Sequence, residues 1–281
     1  MAFALTVQAG TALRTVERLA SVSVVISSLE LLARQRVLGN GNLMGWQIGR
    51  LRSHRRVTGV SGHCFDMLMS NPVYRAMLLA RAAASAALAV GPLNFNFATV
   101  LRSTIGATSV AIYSRSPYGW DGADQMSTIT FAGLSAWSIF PRLEQAVIRF
   151  LALQLVLSYL ASGIAKAVSP EWRSGSALAE ITGTKIYGNP RFHDWLQARP
   201  GASRLLCRAI IIGECAFALS LIAPKPLRYL MMAGGISFHA ATAYVMHLNT
   251  FFWSFTAAYP ALAAYCEETA SWRTTRRKRR S

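Results

Sequence analysis

The chain has 281 residues, 53% of them apolar and only 15% charged, with a mean hydropathy of +0.31. Charge that sparse falls well under the roughly 25% of an ordinary soluble domain, and it excludes intrinsic disorder, which needs low hydrophobicity and high charge. The balance of 29 Lys+Arg against 12 Asp+Glu leaves a net charge of +17; the cations lie between long apolar runs and at the chain end, a placement that suits anionic lipid headgroups and argues against nucleic acid as a partner.

Residues 1–10 lack the cationic start of a signal peptide, and Arg14, Glu17 and Arg18 interrupt the next stretch of chain. The stretch 19–33 is apolar but short for a span, and reads as a tilted or interfacial first helix. Residues 40–70 are polar and glycine-bearing, with Arg50, Arg52, His54, Arg55 and Arg56 clustered, which predicts a long loop near headgroups. His63, Cys64 and Asp66 stand close together in that loop without a metal-specific spacing. Apolar segments come next at 77–90, 95–113, 125–140 and 143–165. A polar connection covers 166–200, and further apolar segments cover 205–223, 227–246 and 251–266. Cys64, Cys207, Cys215 and Cys266 are single, with no CxxC pair, so neither a zinc site nor a disulfide framework is expected.

A spanning helix needs about 20 largely apolar residues, and strand-like alternation is absent; the expectation is an all-α, polytopic integral membrane helical bundle of about seven or eight transmembrane helices. Its parts are an N-terminal helix and basic loop (1–74), the transmembrane bundle (75–266) and a basic tail (267–281). The bias of cations toward the inner face puts the tail, with Arg273, Arg276, Arg277, Lys278, Arg279 and Arg280, in the cytoplasm. The turns carrying Arg142 and Lys225–Arg228 fall on the same side, and the 114–124 and 166–200 connections on the outer one. The same count puts the Arg50–Arg56 cluster outside, against the bias.

Ionisable groups inside a bilayer are costly and face a cavity or a partner. Asp121 and Asp124 precede the 125–140 segment, Lys166 ends 143–165 at the same outer face, Glu214 lies mid-helix in 205–223, and His239 and His247 lie in the outer half of 227–246. An acid, an amine and an imidazole thus have one outward-facing pocket within reach. Each has a plainer reading. Lys166 snorkels to headgroups, or it is a desolvated amine able to take a proton. His239 is an interhelical hydrogen-bonding residue or a catalyst, and His247, eight residues on, is turned roughly 80° away, too far for a metal pair. Glu214 pairs with an intramembrane cation such as Arg102 or relays protons. Asp124 is a candidate N-cap, and Asp121-Gly122 suits a tight turn. No nucleotide-binding loop, nucleophile elbow or HExxH pair is present, so soluble catalytic templates give nothing.

The run Tyr159-Leu-Ala-Ser-Gly-Ile-Ala-Lys166-Ala-Val-Ser-Pro-Glu-Trp172-Arg-Ser-Gly175 resembles the signature of the HTTM family, the horizontally transferred transmembrane domain. Asp121-Gly-Ala-Asp124-Gln125 is similar to an Asp-Gly-x-Asp-Gln run of its bacterial members. Glu214 matches an acidic helix position, and Phe238-His239 followed by Asn249 and Phe251-Phe252 a late-helix pattern; the resemblance covers residues 75–265. Vitamin K-dependent gamma-glutamyl carboxylase shares this domain, and its aligned lysine deprotonates reduced vitamin K. The resemblance therefore implies Lys166 as base and His239 as its assistant. It also implies Asp121, Asp124, Glu214 and Trp172 as substrate-binding residues, and a reduced quinone, vitamin K or menaquinol, as the reductant. It implies a bacterial plasma membrane location as well. Ala165 stands where the carboxylase has a second lysine, and the outer loops are short, so glutamate carboxylation itself is not expected. Bacterial relatives also include the B proteins of the sporulation-delaying toxin system, which implies the alternative of a non-catalytic partner in peptide or toxin maturation.

Overall fold

The computed structural model describes residues 2–34, 39, 42, 45–52, 59–115 and 120–278, with side chains for those between 9 and 270 other than Arg52. The fold is all-α: every regular element among these residues is a helix, and none of them is in a strand. The chain divides into two compact units, one of Met1–Leu13 with Ile148–Ser281, the other of Arg14–Val147.

The unit Arg14–Val147 is built on α1 (Ala2–Ala33) from Arg14 onward, α2 (Trp46–Arg52), α3 (Gly59–Leu68), α4 (Asn71–Val90), α5 (Phe95–Arg115) and α6 (Gly122–Ile139). Sequence chemistry sets its boundaries. Ser70 is extended and Pro72 sits in the first turn of α4, where a missing N–H costs nothing. Gly91 and Pro92 stop that helix, and α5 returns against it, with α6 packed on α5. Leu78, Ile105, Phe131 and Leu134 are fully buried between these helices. Arg115, also fully buried, donates to the Met69 carbonyl at 3.0 Å and lies over the Tyr74 ring at 4.1 Å, tying the end of α5 to the start of α4.

The loop expected over 40–70 is corrected by α2 and α3. Trp46 Nε1 donates to Asp66 at 2.9 Å, Arg50 pairs with the same carboxylate, and the Trp46 and Phe65 rings meet edge-on at 5.3 Å. These local pairs hold two short helices where composition suggested open chain. His63, Cys64 and Asp66 ride on α3, and the described residues contain no cluster of metal ligands. His54, Arg55 and Arg56, and the side chains of Arg52 and of residues 271–281, lie outside the described residues.

The other unit takes in α7 (Glu144–Val168, preceded by a 3-10 turn at Pro141–Leu143) from Ile148 onward, then α8 (Pro170–Ser174), α9 (Ala177–Thr182) and α10 (Pro190–Gln197). After them come α11 (Pro200–Ala216), α12 (Lys225–Met246), α13 (Asn249–Thr256) and α14 (Tyr259–Lys278). The polar 166–200 connection is thus three short helices. Ser169 and Asn189 cap α8 and α10 by accepting from Trp172 and Phe192, each with proline next in line. Their apolar sides bury Leu178, Leu196 and Cys207 in a small core. The single apolar run expected over 251–266 breaks into α13 and α14, because Pro260 has no N–H to return to the Thr256 carbonyl.

Two stretches among the described residues are long and apolar enough to cross a membrane: Asn71–Val90, with mean hydropathy 1.4, and Pro141–Val168, with 1.8. Of their apolar windows, 33% and 44% of the residues are buried, so neither window is mostly buried. The other long helices are diluted by Arg102 and a run of Ser and Thr in α5, and by Lys225, Arg228 and His239 in α12.

Candidate functional site

One face of α7 carries Tyr159, Ser162, Gly163 and Lys166 at helical spacing, i, i+3, i+4 and i+7. Gly163 lets α11 come close: a Cβ there would stand 2.7 Å from Cys215 Sγ and 2.8 Å from its backbone nitrogen. That approach brings Glu214 beside Lys166, whose Nζ lies 2.8 Å from Oε2 and 3.0 Å from Oε1. Ser162 completes a triangle, accepting from Lys166 Nζ and donating to Glu214 Oε1 at 3.2 Å. Both side chains are largely withdrawn from solvent, Lys166 to 18% exposure and Glu214 to 7%.

Trp172 closes the outer side of this group, its ring centroid 5.2 Å from Lys166 Nζ. The position of that ring is fixed by the end of α8. Gly175 adopts φ 93°, and a Cβ there would stand 2.5 Å from Arg204 Cα. Arg204 in turn donates to the Ser174 carbonyl at 3.0 Å, which pins α8 to the first turn of α11.

One turn before Ser162, Tyr159 leads to the second half of the site. Its hydroxyl shares a 2.6 Å hydrogen bond with that of Tyr259, and both hydroxyls press on Gly235 of α12, where a Cβ would stand 2.8 Å and 2.2 Å from them. His239 lies one turn further along α12, 5.6 Å from the Tyr159 ring and stacked on Phe255 at 4.6 Å. It is 4% exposed, and neither ring nitrogen has a hydrogen-bond partner. A neutral imidazole offers one N–H donor and one acceptor, so a buried ring with both unused is set to receive a ligand or water.

The structure therefore brings Lys166, Glu214 and Trp172 together and puts His239 next to them through Tyr159. It does not pair Glu214 with Arg102: Arg102 bonds Glu17 and, at 2.7 Å, Ser138. Asp121 and Asp124 belong to the unit Arg14–Val147 and have their own partners there. Asp121, not Asp124, is the N-cap, accepting from Ala123 N–H at 2.8 Å and Asp124 N–H at 3.1 Å. Asp124 accepts from Ser27 Oγ at 3.4 Å. Burial pushes the Asp121 carboxyl above its ordinary range, and its two backbone hydrogen bonds offset part of that rise. His247 ends α12 in the left-handed region, at φ 59°.

Sequence reading missed Ser162 and the Tyr159–Tyr259 pair. Ser162 carried a usable signal, four residues before Lys166 on the same helix face. Tyr259 carried none, since it lies 100 residues from its partner. No known protein family, curated protein or solved structure matches the chain.

Proposed function

We propose that the chain is a multi-pass integral membrane protein of the HTTM type, and that the Lys166 cluster accepts protons from a lipid-soluble hydroquinone such as reduced vitamin K or menaquinol. In this reading it resides in a bacterial plasma membrane with its basic tail in the cytoplasm. The membrane part is supported by buried charges standing alongside exposed large apolar side chains. Glu17, Arg81, Arg102, Arg115, Glu214, Arg228 and His239 are buried, whereas Leu79, Val100, Leu157, Ile212 and Leu230 are exposed. Water favours the opposite; lipid, which solvates apolar side chains and drives charges inward, favours this. The family part is supported by what the signature residues do. Tyr159, Gly163, Lys166, Trp172 and Gly175 each make one of the contacts that assemble the site.

The observation that carries the chemical reading is the buried Lys166–Glu214 pair beside an imidazole with two unused nitrogens. Lysine and glutamate in contact hold one transferable proton between them and accept a second at whichever group is neutral. The Trp172 ring is suited to pack against an aromatic ligand, and His239, stacked on Phe255, has the donor to steady developing negative charge on a hydroxyl oxygen. A bound hydroquinone would supply reducing electrons to oxygen, Lys166 and Glu214 would take its hydroxyl proton, and Ser162 holds the two side chains in register.

A second reading is a non-catalytic partner in peptide or toxin maturation, with Lys166 as a structural pin. It is favoured by the engagement of the amine by Ser162 and both Glu214 oxygens. Consumption of reduced vitamin K and of menaquinol by the purified protein with oxygen separates the two. Turnover that falls by about a hundredfold in Lys166→Ala is expected, the scale of losing a general base. No turnover in native protein that melts cooperatively overturns the enzyme reading and leaves the maturation partner.

A further inference from the structure

The unit Arg14–Val147 contains a file of buried polar groups that the Lys166 site does not use. Helices α1 and α6 run antiparallel and touch through polar side chains at successive levels. Ser27 Oγ donates to Asp124 at 3.4 Å, Ser127 Oγ to Ser23 Oγ at 3.4 Å, and Arg102 joins Glu17 of α1 to Ser138 of α6. Arg81 of α4 reaches the first level, with Nη2 3.2 Å from Ser27 Oγ. Between the levels lie Ser21 and Thr130, both 0% exposed and neither hydroxyl partnered, and Arg81 Nε is likewise buried and unpartnered.

Serines that serve helix packing return their hydroxyl to the carbonyl four residues back, and Ser28, Ser85 and Ser138 do so here. Ser21 and Thr130 do not. At 1.5 Å per residue, Ser27 to Ser23 and Ser21 to Glu17 are steps of about 6 Å, and Ser127 to Thr130 about 4.5 Å, gaps that one water spans. Ser21 and Thr130 fall at the same level by the antiparallel register. At one end Asp124 adjoins Asp121, which with Trp120 and Gln125 lines an open cleft of about 600 Å³. At the other, Glu17 is one turn from the exposed Arg14, which faces Glu144.

We propose that this unit conducts protons along its interior between Asp124 and Glu17, through the hydroxyls of Ser27, Ser23, Ser127, Thr130 and Ser21 and intervening water. Each hydroxyl accepts a proton on one lone pair and releases its own to the next group, so no net charge rests on the path. Arg81 and Arg102 hold the two carboxyl ends against the bilayer's penalty for charge. The inference rests on the membrane placement above and is independent of the Lys166 chemistry.

The test reconstitutes the full chain in phosphatidylcholine–phosphatidylglycerol vesicles loaded with a pH-sensitive dye, with a potassium diffusion potential set by valinomycin and insertion checked by flotation. Native protein is expected to carry protons at least about tenfold faster than protein-free vesicles, as intramembrane carboxyl relays do. Asp124→Asn and the near-isosteric Thr130→Val are expected to cut that flux about tenfold, as breaks in a hydrogen-bonded chain, while Ser85→Ala keeps it. Vesicles that float with the protein but leak no faster than empty ones overturn the path, as does native flux in Thr130→Val. Protein that fails to float overturns the membrane placement and the path with it.

Discussion

Lys166 is held from three sides, by Ser162 on its own helix, Glu214 on α11 and Trp172 on α8. Breaking a pair of this kind by removing one partner is far costlier than replacing both, because the survivor is left as an uncompensated charge in an apolar place. Glu214→Ala is therefore expected to lose roughly 3 kcal/mol, and Lys166→Met with Glu214→Leu together to lose less than Glu214→Ala alone. Thermal unfolding of the three proteins in one detergent measures this; a double variant weaker than the single one would show that the pair contributes more than the desolvation it suffers. Both members were visible in the sequence, since each is an ionisable residue in an apolar run. Their mutual partnership was not: Glu214 had Arg102 as an equally good candidate, and the choice depends on Gly163, a residue without a side chain whose only signal is what it permits.

Helix α6 begins at a carboxyl whose two roles pull against each other. Asp121 accepts two backbone N–H bonds as the N-cap, yet it is partly buried, and burial wins: the carboxyl is pushed above its ordinary value of 3.8. A carboxyl raised on folding contributes stability while protonated, below 3.8, and loses it as pH rises through the folded value. Asparagine caps as well as aspartate and carries no charge. Asp121→Asn is thus expected to melt higher than the native chain at neutral pH, with the gap closing as pH is lowered toward 3.8. Asp121→Ala, which removes the cap, is expected to cost about 1 kcal/mol. Melting curves across that pH range decide it; a native chain that outlasts Asp121→Asn at neutral pH would mean the cap bonds outweigh burial. At this scale the apolar segments were legible because length and hydropathy locate long helices well. The short ones were not. α2 and α3 depend on one tryptophan, one arginine and one aspartate meeting across 20 residues, and α8 to α10 on caps inside a stretch whose average composition is polar.

Among the described residues, an apolar core coexists with several buried charges and with many large apolar side chains left exposed. The all-α class came directly from the segment lengths. The number of spans did not: two stretches among the described residues are long and apolar enough to cross a membrane, because Arg102 with a run of Ser and Thr in α5, and Lys225, Arg228 and His239 in α12, lower the hydropathy of those helices. Asn71–Val90 and Pro141–Val168 are long and apolar enough to cross a membrane, and neither apolar window is mostly buried. Exposed leucine, valine and phenylalanine on that scale need a cover, and the net charge of +17 favours one with an anionic surface. Expressed with a C-terminal tag, the chain is expected to sediment with membranes, to stay there through alkaline carbonate, and to come off only in detergent. High salt should release nothing, because the apolar helices and not the cations hold it. Release by carbonate would mean a peripheral attachment through the basic residues. The buried ion pairs Arg102–Glu17 and Lys166–Glu214 would then be desolvated in a water-surrounded fold, at a cost no lipid offsets.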